Sequence, residues 1–466
     1  MKLFNSRYNF CIPAGDGKIL YNSKTGGTVF LSDQDSLDLL PFLTGKKYFC
    51  AAEDFEPSFL LSFIKNGFLV EEQRTELSEI SEKYWEARGE TPVVYTITTT
   101  MDCNLGCYYC FESRSKESLK SDDIPTIIAH VSNTFKESRK KSLHVDWFGG
   151  EPLLNFEFLK EASFALQNFC QNNTINYHAS VVSNGTLWPS DVGKFITEHK
   201  IRQVQISFDG MKEKHDKIRR YRKQFDSGFS SFTQAVELVD QLLDHTRVDL
   251  RFNIGLTSEN DLDNFMDFII EKEWFKKRYP FVFQPARVSA YTERSSFFKE
   301  KQYEIEEFDR VRENVKQRLS KLLQVDESEV PYGFPFPKNY VCAALARNSH
   351  VIGADKSLHR CTLELGEKNL AVGHLNKSST LLEANKNWWD QFDPCKLPSC
   401  SKCSFLPICF GGCAKKHFDQ DQSFLDEQSI YWRNNLARII SSYIGKKEFN
   451  THVFEEVDQF REGYDG

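Results

Sequence analysis

The sequence predicts an α/β fold, a partial (β/α)6 barrel with a winged-helix-like module before it and a cysteine-rich domain after it. Three observations predict this. First, β-rich runs at Pro92–Thr100, His144–Phe148, His178–Ser183, Gln203–Phe208, Val248–Leu256 and Phe281–Val288 alternate with segments of helical periodicity. Those segments are Ile124–Phe135, Phe156–Asn168, Ser190–His199, Ser231–Leu243 and Asp261–Phe275. Such alternation implies parallel strands with helices on one face. Second, unusual polar groups fall just after successive strands, where a parallel barrel places its active site. Third, the cysteines gather in two places, 103–110 and 342–413.

The chain has 466 residues, which suggests several domains, and a net charge of −7. That balance argues against a sequence-independent grip on nucleic acid, which needs basic surface to displace counterions. The N-terminus carries no apolar signal region. No run of roughly eighteen apolar residues exists either, so no membrane span is expected. The expected compartment is the cytoplasm, where 13 clustered cysteines point to metal rather than disulfides. Cys11, Cys50 and Cys170 stand apart and read as free thiols.

Taken in order, the expected domains are 1–75, a linker at 76–91, the barrel at 92–290, a helical linker at 291–338, a cysteine-rich domain at 339–425 and a helical tail at 426–466. In the first, Lys18–Ser23 and Thr25–Leu31 read as a hairpin joined by turn residues. Ser32 is placed to cap a helix carrying Leu37, Leu39, Leu40 and Phe42. A second helix runs from Pro57 to Asn66, stops at Gly67, and is followed by a strand at Phe68–Val70. Glu76–Gly89 reads as a helical linker.

After the first barrel strand stand Cys103, Cys107 and Cys110, at Cys-x-x-x-Cys-x-x-Cys spacing. Soft thiolates suit iron–sulfur clusters and zinc. Three of them hold three irons of a [4Fe–4S] cube and leave the fourth iron open, whereas a zinc site would seek a fourth ligand or keep a water. Gly149-Gly150-Glu151-Pro152 follows the second strand, with glycines that permit close backbone approach and a carboxylate able to accept from an ammonium group. Ser183-Asn184-Gly185-Thr186 follows the third and Ser207-Phe208-Asp209-Gly210 the fourth.

These motifs resemble those of the radical S-adenosylmethionine (SAM) enzymes over roughly residues 92–290, in the peptide-modifying branch. The resemblance implies that the three cysteines hold a [4Fe–4S] cluster whose open iron chelates SAM. It implies that Gly149, Gly150 and Glu151 meet the SAM amino group, and that Ser183 and Asn184 lie near the ribose and carboxylate. Ser207 and Asp209 match a further SAM motif, and Tyr109 matches an aromatic that packs toward the adenine. Arg219, in His215-Asp216-x-x-Arg219, is the candidate for the SAM carboxylate, with Arg220 and Arg222 as alternatives. The Lys217–Lys223 run also reads as a solvated basic loop.

The later cysteines are Cys342, Cys361, Cys395, Cys400, Cys403, Cys409 and Cys413. Seven exceed one tetrahedral zinc site and fall one short of two; Cys400 and Cys403 alone would favour zinc. Behind such a barrel the pattern resembles the SPASM extension, which implies two auxiliary [4Fe–4S] clusters and three clusters in all. By that resemblance Cys342, Cys361 and Cys413 hold the first. Cys400, Cys403 and Cys409 hold part of the second, with Cys395 as its substitute fourth ligand. The first cluster would then keep an open iron.

The N-terminal pattern, Tyr21-Asn-Ser-x-Thr-Gly through Asn66-Gly-Phe-Leu-Val-Glu-Glu72, resembles modules that bind a leader peptide by strand addition. The resemblance therefore implies a precursor peptide as substrate, an electron donor such as flavodoxin or ferredoxin, and neither nucleic-acid nor membrane partners. The expected reaction is formation of a thioether, carbon–carbon or carbon–oxygen crosslink. One alternative is an anaerobic sulfatase-maturing enzyme, although the family's aspartate after the Cys361 position is here Thr362. Others are an RNA-modifying radical SAM enzyme and a non-catalytic metal-binding peptide-recognition protein. No acid or base is assigned; Asp355, His359 and Glu364 are weak candidates.

Overall fold

The structure, a computed structural model, describes residues 2–33, 49–51, 56–226, 228–255, 259–299, 302–324, 334–376 and 380–444. The expected helix after Ser32 and Cys50's side chain lie outside the described residues and their side chains. The chain divides into two compact units that do not follow chain order. One comprises Met1–Glu90, Glu313–Val341 and Phe392–Gly466; the other comprises Thr91–Arg312 and Cys342–Gln391.

The first unit opens with β1 (Lys2–Asn5), β2 (Asn9–Ala14), β3 (Gly17–Asn22), β4 (Thr28–Ser32), β5 (Phe49–Ala51) and β6 (Leu69–Val70). They form two antiparallel sheets, ordered β5-β1-β6 and β2-β3-β4. The expected hairpin is β3–β4. β1 and β2 go beyond the expectation, and Pro13 explains why β2 is inconspicuous in sequence. Proline cannot donate to a ladder, but β2 is an edge strand and tolerates it. Helix Pro57–Lys65 has Glu56 as its cap and Asn66 after it, and Gly67 then turns the chain at φ +80°.

Both faces of the β2–β3 hairpin are buried. Leu20 and Leu31 pack with Leu3, Phe63, Phe68 and Leu69. Phe10, Ile12, Ile19 and Tyr21 instead pack with Phe405 and Ile408, and with Leu436, Ala437 and Ile440 of the helix Gln422–Ile444. Each such aliphatic or aromatic side chain contributes about 1.5–3 kcal/mol on full burial. The first strands and the last described helix thus share one core.

The second unit is built on β7 (Val93–Thr100), β8 (Ser142–Gly149), β9 (Asn176–Ser183), β10 (Ile201–Phe208), β11 (Arg247–Ile254) and β12 (Phe281–Arg287). All six run parallel, in the order β12-β11-β10-β9-β8-β7. Along β8 the alternation is complete. Leu143, Val145 and Trp147 are buried, while His144, Asp146 and Phe148 are half-buried on the other face. The five expected helices are present, as Ile124–Ser138, Phe156–Asn172, Val192–Glu198, Ser231–Leu242 and Glu259–Glu271. The fold class is as the sequence predicts.

One extension was not expected. β13 (Ser349–Ile352) adds in parallel to β7, pairing Ser349 with Val94 and Ile352 with Ile97. β14 (Ser357–His359) and β15 (Gly373–His374) then add antiparallel, giving a nine-stranded sheet. Cys361, two residues past β14, is thereby carried on the same sheet as the Cys103 loop.

Candidate active site

The Cys103–Cys110 loop leaves the carboxyl end of β7 and is held by side chains around it. Thr100 Oγ1 accepts from the Asp102 N–H at 3.1 Å, and Asp102 Oδ1 accepts from the Cys103 N–H at 2.9 Å. Arg222 pairs with Asp102 and donates to the Cys103 carbonyl at 2.7 Å. The Gly106 N–H donates to the Arg220 carbonyl at 2.7 Å, and Arg114 donates to the Cys107 carbonyl at 2.7 Å. Cys103 Sγ accepts from the Leu105 N–H at 3.4 Å and from Asn184 Nδ2 at 3.8 Å. Donors aimed at sulfur favour a ligating thiolate. Burial pushes the thiols up, Cys110 to about 11, so ligation by a cluster would displace protons. Among the described residues no three metal-ligating side chains converge on a point suited to a single ion.

The glycines after β8 serve this loop directly. A Cβ on Gly149 would lie 2.3 Å from the Thr100 carbonyl oxygen, and one on Gly150 would lie 2.4 Å from that of Asp102. Gly149 also has φ +143°, which disfavours a side chain. The Gly150 N–H donates to Thr100 O at 3.1 Å and the Glu151 N–H to Asp102 O at 3.0 Å. The close approach the glycines permit is therefore that of β8 to the cysteine loop.

That approach buries Glu151 completely. Its carboxylate accepts from the Asn184 N–H at 2.7 Å, from Ser183 Oγ at 3.0 and 3.1 Å and from the Leu153 N–H at 3.2 Å. Burial raises its pKa to about 7, with those hydrogen bonds opposing the shift. Asn184 continues to Asn104 Oδ1 at 2.8 Å, and Asn104 to Thr186 Oγ1 at 2.8 Å. Cys103, Glu151, Ser183 and Asn184, expected from three different strand ends, stand in one hydrogen-bonded network.

A second buried group forms beside it. The Tyr109 hydroxyl donates to Asp209 at 2.8 Å, and accepts from Arg219 Nη2 at 2.8 Å and Asn253 Nδ2 at 3.1 Å. Arg219 Nε pairs with Asp209. Of the three candidate arginines, Arg219 is buried against Asp209, Arg222 is committed to Asp102, and Arg220 is exposed. Ser207 is half-buried, in register with Arg251. Asp102, Asn104, Thr186 and Asn253 were not singled out from the sequence. Asn253 lies at the end of the fifth strand, so the strand-end rule, extended by one strand, would have found it.

Of the later cysteines, Cys361 caps the turn Thr362–Glu364. Arg360 beside it donates to the carbonyls of Ala344 at 3.1 Å and Ala346 at 2.9 Å, tying it to the turn that follows Cys342. The three acid–base candidates form one line, with His359 and Glu364 buried and Asp355 half-buried. Asp355 accepts from Ser357, Ser357 Oγ lies 2.8 Å from His359 Nε2, and His359 Nδ1 lies 3.9 Å from Glu364 Oε2. Glu364 also accepts from the Cys361 N–H at 3.4 Å. Thr362 is the first residue of that turn.

Cys395, Cys400, Cys403 and Cys409 lie in the first unit. After burial, the largest cause, each of Cys395, Cys400 and Cys409 is raised further by another thiol of this set. Gly411, at φ +76°, brings the chain back so that its Cβ position lies 3.7 Å from Cys400 Sγ. Cys413, also in that unit, donates its N–H to Gln428 at 2.9 Å.

The three thiols in one loop, the donors on Cys103 sulfur and the buried carboxylate beside it fit a cluster and a ligand with a cationic amino group. Residues 97–269 match the family described as the Radical SAM superfamily. The chain is 23% identical to a cysteine-type anaerobic sulfatase-maturating enzyme of Clostridium novyi, over 74% of this chain and 95% of that protein. It is 22% identical to the radical SAM cyclopropyl synthase TigE of Paramaledivibacter caminithermalis, over 45% of this chain and 46% of that protein. Among solved structures, native anSMEcpe with bound AdoMet and a Cp18Cys peptide superposes with a TM-score of 0.50 at 18% identity, covering 69% of this chain and 89% of that one. No helix among the described residues is long and apolar enough to cross a membrane. Residues 97–269, with their cysteine loop and the carboxylate network behind it, are a radical SAM domain.

Proposed function

We propose that this protein is a radical SAM/SPASM maturase that modifies a ribosomally made precursor peptide by forming a thioether, carbon–carbon or carbon–oxygen crosslink. The observation that carries the reading is the Cys103 loop joined to Glu151, Ser183 and Asn184 at the carboxyl ends of parallel strands. When bound, a [4Fe–4S] cluster with SAM on its open iron supplies reductive cleavage of SAM and a radical able to take hydrogen from an unactivated carbon.

The chain's own residues bind and orient. Cys103, Cys107 and Cys110 are the cluster ligands. Glu151 exchanges part of its present hydrogen bonding for the SAM ammonium, with Ser183 and Asn184 fixing its carboxylate. Tyr109, Asp209 and Arg219 form one wall of the site, where the Arg219 guanidinium offers donors to a carboxylate beyond those given to Asp209. Gly149, Gly150 and Ser207 complete the SAM contacts. Cys395, Cys400, Cys403 and Cys409 are assigned one auxiliary cluster. Cys342, Cys361 and Cys413 are assigned another by resemblance alone. A precursor leader would add to an edge of the N-terminal sheets, and a flavodoxin or ferredoxin would supply the electron. The compartment is the cytoplasm.

Similarity to a sulfatase-maturating enzyme over most of that protein's length favours a second reading, oxidation of a cysteine or serine to an aldehyde. Mass spectrometry of a candidate precursor peptide, after anaerobic turnover, separates the two. Loss of two hydrogens per crosslink with no trappable carbonyl supports the first. A hydrazide adduct establishes the second, and a peptide that only gains a carbon-bound deuterium from deuterated solvent, with no other change, contradicts both.

A further inference from the structure

The hydroxyl of Tyr8 is buried, has no hydrogen-bond partner among the described residues, and belongs to a side chain with no exposed surface. A buried phenol normally finds an acceptor, because leaving it unmatched forfeits the hydrogen bonding it had in water. Tyr8 lies in the turn between β1 and β2, far in sequence from Cys395, Cys400, Cys403 and Cys409, yet in the same compact unit. Burial holds the phenol well above its ordinary pKa, with Arg7 opposing and Glu76, Cys395 and Cys403 adding. The phenol is thus a protonated donor with two candidate ligand sulfurs in its surroundings.

The turn is built to hold that hydroxyl still. On one side, Glu76 accepts from Ser6 Oγ at 2.5 Å and from the Arg7 N–H at 3.2 Å, and Ser6 Oγ accepts the Tyr8 N–H at 3.2 Å. On the other, Arg7 Nη2 donates to the Ser401 carbonyl at 2.7 Å and Ser404 Oγ donates to the Arg7 carbonyl at 2.5 Å. Ser23 closes the loop, giving its N–H to the Tyr8 carbonyl at 3.0 Å and its hydroxyl to the Ser404 carbonyl at 2.6 Å. Ser401 and Ser404 bracket Cys403, so the bonds that fix the turn also fix the cysteine segment.

We propose that Tyr8 is a positioning residue for the auxiliary cluster of Cys395, Cys400, Cys403 and Cys409, donating its hydroxyl to a ligand sulfur of that cluster. The inference rests on the assignment of a cluster to those four cysteines. A donor on a ligand sulfur stabilises the reduced cluster, which carries one more negative charge, and so raises its potential. The N-terminal strands would then act on electron acceptance as well as on peptide recognition.

The test compares full-length, anaerobically reconstituted wild-type protein and Tyr8→Phe, which removes only the hydroxyl. Iron content, an EPR-monitored redox titration and electron–nuclear double resonance in deuterated buffer are read on both. The expected result is equal iron, one auxiliary signal moved to lower potential, the other signals unmoved, and loss of one exchangeable proton coupling. Unmoved potentials with the coupling retained overturn the inference alone. So does loss of one cluster's iron in Tyr8→Phe, which marks a structural role. Wild-type protein that takes up only one cube's worth of iron removes the cluster assignment, and the inference with it.

Discussion

Glu151 carries the clearest consequence at the scale of single residues. Burial pushes its carboxyl up to about 7, and the ionised form accepts from an ammonium group far more strongly than the neutral acid. If Glu151 holds the SAM ammonium as proposed, the expected outcome is that affinity falls as pH drops through that value, by about tenfold per pH unit at the limit. Calorimetric titration of wild-type protein from pH 8 to 5.5 measures this, and Glu151→Gln removes the slope while binding weakly throughout. A slope kept in Glu151→Gln would assign the proton elsewhere. The Asp209–Arg219 pair makes a different prediction. Asp209→Asn leaves a buried guanidinium without its charge partner, which costs about 3–5 kcal/mol when such a pair is broken. Denaturant unfolding reads that loss. The residues of this site were legible wherever they stood in a motif just after a strand, as with Cys103, Glu151, Ser183 and Asp209. Asp102 and Asn104 were not, although they flank the first cysteine of the motif, because their work is to bond backbone and neighbouring amides, which leaves no mark in spacing. Arg219, Arg220 and Arg222 look alike in sequence, and only burial separates them.

At the scale of elements, the six barrel strands were legible because each is long enough to show apolar alternation and is followed by an amphipathic helix. β13 and β14 were not. They are four and three residues long, too short for periodicity, and β13 pairs with β7 from far earlier in the chain. β2 was hidden by Pro13, which is compatible with its edge position but discourages a strand reading. Edges also give the testable element. Among the described strands β4 pairs only with β3, at the edge of its sheet, and strand addition at that edge would engage Thr28–Ser32. Hydrogen–deuterium exchange with the precursor's leader peptide should slow amides in Thr28–Ser32. Protection confined to the second unit would contradict leader recognition by these strands.

At the scale of the whole molecule, the chain is two units, each assembled from distant segments. Composition marked the barrel and both cysteine regions. It could not show that the first strands share a core with Phe405, Ile408 and the helix Gln422–Ile444, because each segment alone displays only an apolar face. That shared core is also why the N-terminal strands, expected as a separate recognition module, bear on the auxiliary cysteines. The central claim is that Cys103, Cys107 and Cys110 make the radical-generating centre of this assembly. Its most direct measurement is 5′-deoxyadenosine and methionine release from SAM under a strong reductant, comparing reconstituted wild-type protein with the triple variant Cys103→Ala, Cys107→Ala, Cys110→Ala. The account predicts release by the wild type and none by the variant, with leader binding unchanged; cleavage that survives the three substitutions would contradict it.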